Sequence, residues 1–454
     1  MAVASAYMTT IQDAGRRVLI VGLGATGLSC ARFLAAHGAE IAVTDTRVHP
    51  PGLDDLRETL PDVAVFLGGL DEQALRSAHE IVVSPGVSLR TPVIAAAIGR
   101  GTPVIGDVEL FARYARAPVA AITGSNGKST VTTLLGEMAR AAGRDVRVGG
   151  NLGTPALDLL SDGEPDLYVL ELSSFQLETT ASLSPAVAAV LNLSPDHMDR
   201  YQNVAEYAAA KARIYRRASM QIVNADDPQV VAMHDPRRAA RRYTLQAPGT
   251  GEFGLVQDGS EVWMACGTER LLPAAELRIA GRHNLANALA AIAMGDALGL
   301  SREAMRAALA GFNGLPHRTQ WVAERAGVTW YNDSKGTNVG ATMAALNGFD
   351  APVVLIAGGD GKGADFTPLR AVVAARARAV VLIGRDAPRI EAALADSVPV
   401  FAARDLDEAV RTAAAQARAG DVVLLSPACA SFDMFRNYED RGERFTTVVR
   451  RFLE

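Results

Sequence analysis

The sequence predicts an α/β protein in which three successive blocks each repeat a strand–turn–helix rhythm. Three observations carry that expectation. Short aliphatic runs end again and again in turns rich in Gly, Asp or Ser. Two of those turns are glycine-rich loops leading into helix-forming sequence. Aromatic residues are 6% of the chain against 49% hydrophobic residues overall, with 41 Gly and abundant Ala, a composition that suits helices packed closely on sheets. At 454 residues the chain exceeds one ordinary core, so two or three domains are expected.

The first block opens with a buried strand, Arg17-Val18-Leu19-Ile20-Val21, and turns through Gly22-Leu23-Gly24-Ala25-Thr26-Gly27. A helix is expected from Leu28 to Ala36, then a strand Ile41–Val43 ending at Asp45-Thr46-Arg47. Another strand, Glu80–Val83, runs into Ser84-Pro85-Gly86, and the block closes near Gly106-Asp107. The pattern is doubly wound and parallel. Gly22-x-Gly24-x-x-Gly27 with Asp45 about 20 residues on formally matches a dinucleotide fingerprint. The same glycines would serve a tight turn and close helix packing. A nucleotide phosphate at the helix N-terminus is therefore preferred over NAD.

The second block carries the sharpest signal. After the apolar run Val119-Ala120-Ala121-Ile122 comes Thr123-Gly124-Ser125-Asn126-Gly127-Lys128-Ser129-Thr130. Such glycines let backbone N–H groups close on phosphate oxygens, the lysine reaches the β/γ-phosphates and the hydroxyl ligates Mg²⁺. The general phosphate loop wants glycine at position 122, which holds Ile122, so this shorter form belongs to a narrower group. Glu171 ends the strand Leu167–Glu171, where an acid is costly unless paired or bound to metal. His197, after the strand Val187–Leu191, is a second candidate ligand. Helical spacing puts Tyr207, Lys211, Ile214 and Tyr215 on one face and leaves Arg213 off it. Lys211 either snorkels to water or is desolvated, and in the second case its free amine could react with CO₂. After Thr244, short segments with Gly and Asp turns read as an antiparallel accessory, followed by an Ala-rich helix from Asn284 to Leu298.

Gly311–Pro316 breaks the chain before the third block, whose strands are Val328–Tyr331, Val353–Ile356, Val380–Ile383 and Val422–Leu425. Polar clusters follow: Pro316-His317-Arg318, Asn332–Asn338, Gly358–Lys362 and Ser426–Asp433. Ligands of open α/β sheets bind beyond the carboxyl ends of strands, where such clusters fall. Arg318, Lys335 and Lys362 suit anionic groups, and Ser431 is expected to open a helix at which a carboxylate docks.

Several classes are excluded. A net charge of −5 and a pI near 5.9 argue against a generic nucleic-acid binder. Cys30, Cys266 and Cys429 are far apart and form no Cys-x-x-Cys, which suits a reducing compartment and no zinc ribbon. Met1–Asp13 lacks the basic-then-apolar pattern of a secretory signal, and no run approaches the ~20 apolar residues of a membrane helix. A cytoplasmic, soluble monomer is expected, without nucleic-acid or membrane partners. An NAD-dependent oxidoreductase would leave the Lys128 loop and the third block unexplained. A nucleotide-sugar sensor would differ from an enzyme only in lacking turnover.

Together these residues resemble the Mur ligase family of peptidoglycan synthesis over essentially the whole chain. The short phosphate loop is that family's form, and Glu-x-Ser-Ser at Glu171, Asp-His-x-Asp at Asp196, His-Asn-x-x-Asn from His283 to Asn287 and His317-Arg318 match in order. Gly-Leu-Gly-x-Thr-Gly-Leu-Ser, Asp45-Thr46-Arg47, Ser84-Pro85-Gly86, Glu171–Leu177 and Ser426–Asp433 are similar to the branch that adds D-glutamate. The Asp-Asn-Pro-Arg motif of the diaminopimelate-adding branch is absent. Folylpolyglutamate synthases share the loop but not this first block.

The resemblance implies a Rossmann-like UDP-sugar domain over 1–107, a central P-loop ATPase-type α/β domain over 108–314, and a Rossmann-like amino-acid-binding domain over 315–454. It implies ATP-dependent amide-bond formation between UDP-N-acetylmuramoyl-L-alanine and D-glutamate through an acyl phosphate. By matching position, Thr26, Asp45, Thr46, Arg47, Ser84 and Asn151 would contact the UDP-sugar. Gly124, Ser125, Asn126, Gly127, Lys128, Ser129, Thr130, Asn284, Asn287, Arg318 and Asp333 would contact ATP. Ser129, Glu171, His197 and a carbamylated Lys211 would hold two Mg²⁺ ions, with Lys128, His197 and Lys211 the catalytic group. Lys335, Thr337, Lys362, Ser431, Phe432 and Tyr438 would bind D-glutamate. Phe432 and Tyr438 are bulkier than the Leu and Phe of the family's pattern, which bears on the shape of that pocket. A closing motion of the C-terminal domain is also implied.

Overall fold

The computed structural model describes residues 15–161, 163–279, 281–394 and 397–453, and the Met1–Asp13 stretch read above lies outside them. Strands buried on both faces read as unbroken aliphatic runs, and the central strands Arg17–Val21 and Glu80–Val83 of the first block behave this way, whereas the edge strand Ala64–Leu67 is partly exposed. Ala64–Leu67, Glu40–Asp45, Arg17–Val21, Glu80–Val83 and Val104–Ile105 form, in that order, a parallel five-stranded sheet. The order reverses beside Arg17–Val21, which places a crevice beyond the carboxyl ends of this strand and Glu80–Val83. The helix expected from Leu28 begins instead at Ala25, with Gly24 as its N-cap. The glycine turn is tighter than the pattern suggested. A Cβ on Gly27 would collide with the Gly22 carbonyl, so the first helical turn rests directly on the preceding strand end.

The chain packs as two compact units. The first comprises the described part of Met1–Thr123 with Asp145–Ala186 and Ala210–Ser219. Besides the five-stranded sheet it holds the parallel strands Val119–Thr123 and Val146–Gly150, each paired with Leu167–Glu171.

The second unit comprises Gly124–Arg144, Val187–Ala209 and the described part of Met220–Glu454. Here Val187–Val190, Met220–Asn224, Ala240–Tyr243 and Phe253–Asp258 pair in parallel succession. Glu261–Cys266 and Glu269–Pro273 then extend the array antiparallel, as the accessory reading anticipated. The helices Lys128–Ala141 and Arg282–Ala297 pack against each other, the second starting slightly earlier than expected.

The same unit contains a six-stranded sheet ordered Gln320–Arg325, Val328–Asn332, Val422–Leu425, Val353–Gly358, Ala377–Ile383, Val400–Ala402. All neighbours are parallel except the first pair. Val353 and Leu355 face one apolar cluster while Val354 and Ile356 face another, so helices cover both sides and the strands stay aliphatic throughout. Polar clusters follow the carboxyl ends of Val328–Asn332, Val353–Gly358 and Val422–Leu425. Among the described residues no helix is long and apolar enough to cross a membrane.

Candidate active site

The phosphate loop is held by side chains rather than by a regular ladder. The Asn126 amide donates to Asn192 Oδ1 at 2.8 Å, and Asn192 Nδ2 returns a bond to the Asn126 carbonyl at 3.0 Å. Ser125 Oγ donates to the Ser194 carbonyl at 2.9 Å. Gly127 takes φ +81° as the N-cap of Lys128–Ala141, and a Cβ there would collide with the Asn287 side chain. Only glycine satisfies both conditions. Lys128 Nζ lies across its own loop, donating to the Gly124 and Ser125 carbonyls at 2.9 Å each. Arg318 donates to Ser129 Oγ at 2.8 Å. The helix N-terminus adds positive potential, so the loop gathers donors and two cations at one point.

Beside it lies a cavity of about 260 Å³ lined by Asn126, Gly127, Thr130, Asn284, Asn287, Arg318 and Asp333, all expected at an ATP site, and by Lys335. Its apolar wall includes Tyr243, Ile279 and Leu315, suited to a flat base. Asn287 Nδ2 donates to Asn284 Oδ1 at 3.1 Å, fixing both amides toward the loop. Burial lowers His283 to about 4, so this imidazole is neutral near pH 7. Burial also pushes Asp333 up to about 6, against bonds from Ser426 Oγ and the Thr319 amide that favour its anion. Asn192, Tyr243 and Ile279 were not singled out as site residues. Of these only Asn192, directly after the strand expected over Val187–Leu191, carried a positional signal.

In the first unit, Glu171 is 3% exposed and its Oε1 accepts from Asn151 Nδ2 at 2.7 Å. Asn151, expected on the UDP-sugar, thus orients the acid. Lys211, Ile214 and Tyr215 are buried here, and Tyr207, in the second unit, is buried too, as the helical spacing required. Lys211 is 1% exposed, and its Nζ is 3.4 Å from Thr123 Oγ1. Its head is not in water, which rules out snorkelling. In the second unit His197 has φ +57°, and Asp196 Oδ1 accepts from its amide at 2.9 Å. Tyr207, raised above the ordinary phenol range by burial, lies 3.3 Å from Ser125 Oγ.

At the first glycine turn Ser84 Oγ donates to the Gly22 carbonyl at 2.9 Å. Asp45 accepts from the Leu23 amide at 2.7 Å and from Arg47 Nε and a terminal nitrogen at 2.9 and 2.7 Å. Burial alone would raise this carboxyl, but those donors outweigh it and hold it at about 2. Thr46 and Arg47 are exposed beside it, and Thr26 is half-buried in the helix's first turn.

Around the third sheet, Lys335 Nζ stands 3.5 Å over the Tyr438 ring. Ser431 does not open a helix. Its carbonyl accepts from the Met434 and Phe435 amides to close one turn, and the helix begins at Tyr438, where Asn437 bonds to the Asp440 amide. Phe432 is 70% exposed. The Lys335 and Ser431 segments are tied by Arg441, which sequence reasoning missed. Fully buried, it bonds to Ser334 Oγ and the carbonyls of Ser334, Cys429 and Ala430. Nothing flags it within an amphipathic helix. Non-glycine residues at positive φ are His197, His317, Thr319, Ala326, Lys362 and Ala428, most of them in the polar clusters that follow strands.

A short phosphate loop, an amide-lined nucleotide cavity and flanking α/β sheets define an enzyme class that spends ATP. The chain matches the family models described as Mur ligase MurD-like, N-terminal domain over residues 16–106, Mur ligase middle domain over 122–295, and Mur ligase, glutamate ligase domain over 317–429. The chain belongs to the Mur ligase family. A relative from Nitrosococcus oceani named UDP-N-acetylmuramoylalanine–D-glutamate ligase is 58% identical over 96% of both chains. One of the same name from Pseudomonas aeruginosa is 54% identical over 95% of this chain and 97% of its own. Among solved structures, a pseudomurein peptide ligase type C from Methanothermus fervidus is 16% identical with TM-score 0.61, covering 96% of this chain and 100% of its own. The UDP-N-acetylmuramate-alanine ligase of Thermotoga maritima is 19% identical with TM-score 0.59 over 96% and 99%. These two show a shared fold.

Proposed function

We propose that the protein joins D-glutamate to UDP-N-acetylmuramoyl-L-alanine at the expense of ATP, in cytoplasmic peptidoglycan precursor synthesis. The observation that carries this reading is one cavity lined together by phosphate-loop residues, Asn284, Asn287, Arg318 and Asp333, in a chain 58% identical to a relative named for that reaction. Domain limits at 107 and 314 belong to the same reading, since the family matches fall on either side of them.

The alanyl carboxylate attacks the γ-phosphorus of ATP, ADP leaves, and an acyl phosphate forms. The D-glutamate amine then attacks the acyl carbon, phosphate leaves, and the nitrogen loses a proton as the amide forms. Both partners of the first step are anionic, so cations must offset their repulsion. Lys128 and Arg318 supply two from the second unit. Ser129 and Glu171 offer the oxygen donors that suit Mg²⁺, His197 would add a nitrogen, and Mg²⁺ when bound would neutralise charge on the phosphates. A carbamate on Lys211 would turn a buried cation into an oxygen ligand for a second ion, which its desolvation favours. Thr26, Asp45, Thr46, Arg47 and Ser84 would receive the UDP-sugar. Lys335, Thr337, Lys362, Ser431, Phe432 and Tyr438 would receive D-glutamate.

An oxidoreductase reading leaves the Lys128 loop and the cavity beside it without a role. Phosphate release measured with each substrate omitted in turn tests the proposal. Release that needs both UDP-N-acetylmuramoyl-L-alanine and D-glutamate supports it; release indifferent to either one refutes it.

A further inference from the structure

Asn338 performs two tasks with one amide. Its Oδ1 accepts from the Ala341 amide at 2.8 Å and so caps the helix Val339–Leu346, which belongs with the six-stranded sheet. Its Nδ2 points the other way, to Asn126 Oδ1 at 3.3 Å and Asp196 Oδ2 at 3.2 Å. Asn126 belongs to the phosphate loop, and Asp196 directly precedes His197. Asn126 Nδ2 also reaches Ser194 Oγ at 3.4 Å, so Asn126, Ser194, Asp196 and Asn338 form one half-buried polar network. Backbone shape admits the contact. A Cβ on Gly340 would lie 2.6 Å from Ser194 Oγ and 2.9 Å from Ser194 Cβ, so any larger residue would push this helix off the turn.

We propose that Asn338 is the latch that docks the amino-acid-binding part of the chain onto the phosphate loop, and so acts as a positioning residue for the second chemical step. The inference rests on the functional reading above. Lys335 and Thr337 lie in the same short segment as Asn338, so the latch sets where an incoming amine stands relative to the loop. Capping could be satisfied by Ser, Thr or Asp. Only Asn offers, at this length, an acceptor for its own helix and two donors for the facing loops.

The test separates cap from latch. Asn338→Asp keeps the capping acceptor, removes both donors and sets a carboxylate against Asp196. Gly340→Ala leaves the cap intact and blocks the approach. Both variants are expected to keep the wild-type melting temperature, nucleotide affinity and KM for ATP. Both should lose about tenfold or more in kcat and show a raised KM for D-glutamate, as loss of two hydrogen bonds at a transition state predicts. Small-angle scattering should report a larger radius of gyration for both. Wild-type kcat, D-glutamate KM and radius in Gly340→Ala overturn the proposal even if Asn338→Asp is destabilised. If wild-type protein shows no D-glutamate-dependent phosphate release, the functional reading falls, and the scattering comparison alone decides the latch.

Discussion

Lys211 ends 3.4 Å from the Thr123 hydroxyl, at the tip of a side chain that is 1% exposed. Thr123 Oγ1 in turn donates to the Leu172 carbonyl at 2.7 Å, so the lysine sits over the junction of the strands leading to the phosphate loop and to Glu171. Lys211→Ala is expected to cut turnover by about a hundredfold or more, the scale of losing one preorganised charge-stabilising group. Short-chain carboxylic acids should restore part of it by occupying the space with an oxygen ligand. A fully active variant would discard the carbamate; an inactive one that no acid rescues would assign the lysine another role.

Gly127→Ala should leave a folded protein that no longer holds nucleotide. The positive φ alone costs about 1–2 kcal/mol for a residue with a Cβ, and the new methyl meets the Asn287 side chain. Titration calorimetry with a non-hydrolysable ATP analogue should show affinity down by at least about tenfold. Unchanged affinity would mean that the loop does not approach the phosphates.

Asp107 makes stability depend on pH. Its Oδ2 accepts from Gln176 Nε2 at 3.0 Å, but burial dominates and raises its carboxyl from 3.8 to about 6. Between those values the folded chain keeps a proton that the unfolded chain has lost. Stability therefore falls as pH rises from about 4 to about 6, then levels off. The whole change is on the order of 3 kcal/mol. Asp107→Asn removes this contribution, so its melting temperature relative to wild type should climb across that window. Melting curves that stay parallel from pH 4 to 7 would show that the carboxyl titrates normally.

Arg441 spends its guanidinium on neutral acceptors alone, the Ser334 hydroxyl and the carbonyls of Ser334, Cys429 and Ala430. Desolvation lowers it to about 10, still charged near pH 7. Lysine cannot reproduce a planar fork with five donors. Arg441→Lys is expected to destabilise the fold by about 2–4 kcal/mol, read as a lower urea midpoint. A midpoint equal to wild type would show that the two segments need no tie.

Strands buried on both faces could be read directly, because no polar alternation was needed: Arg17–Val21, Leu167–Glu171 and Val422–Leu425 appear where the aliphatic runs lie. The Lys211 face was legible because period-3.6 burial has few alternatives, and the loop because its glycines answer to phosphate geometry. Edge elements were not. Val104–Ile105 is two residues long, and Gln320–Arg325 carries a bulge between Trp321 and Ala323 that breaks its alternation. The Ser431 turn misled because one i+4 hydrogen bond resembles the start of a helix until Asn437 begins a new one. Arg441 reaches Ser334, 107 residues away, and Asn338 reaches Asp196 and Asn126, 142 and 212 residues away, which no local pattern encodes.

The Lys128 ammonium, bonded to the carbonyls of Gly124 and Ser125, gives the loop an internal counterweight. A triphosphate engaging this lysine trades those two neutral acceptors for anionic ones, so the contact yields a difference rather than a full bond. Discrimination follows from that difference. A ligand with weakly charged oxygens gains little over the loop's own carbonyls, whereas a triphosphate gains a charge-assisted bond roughly twice as strong. The loop thus filters by charge density before shape enters.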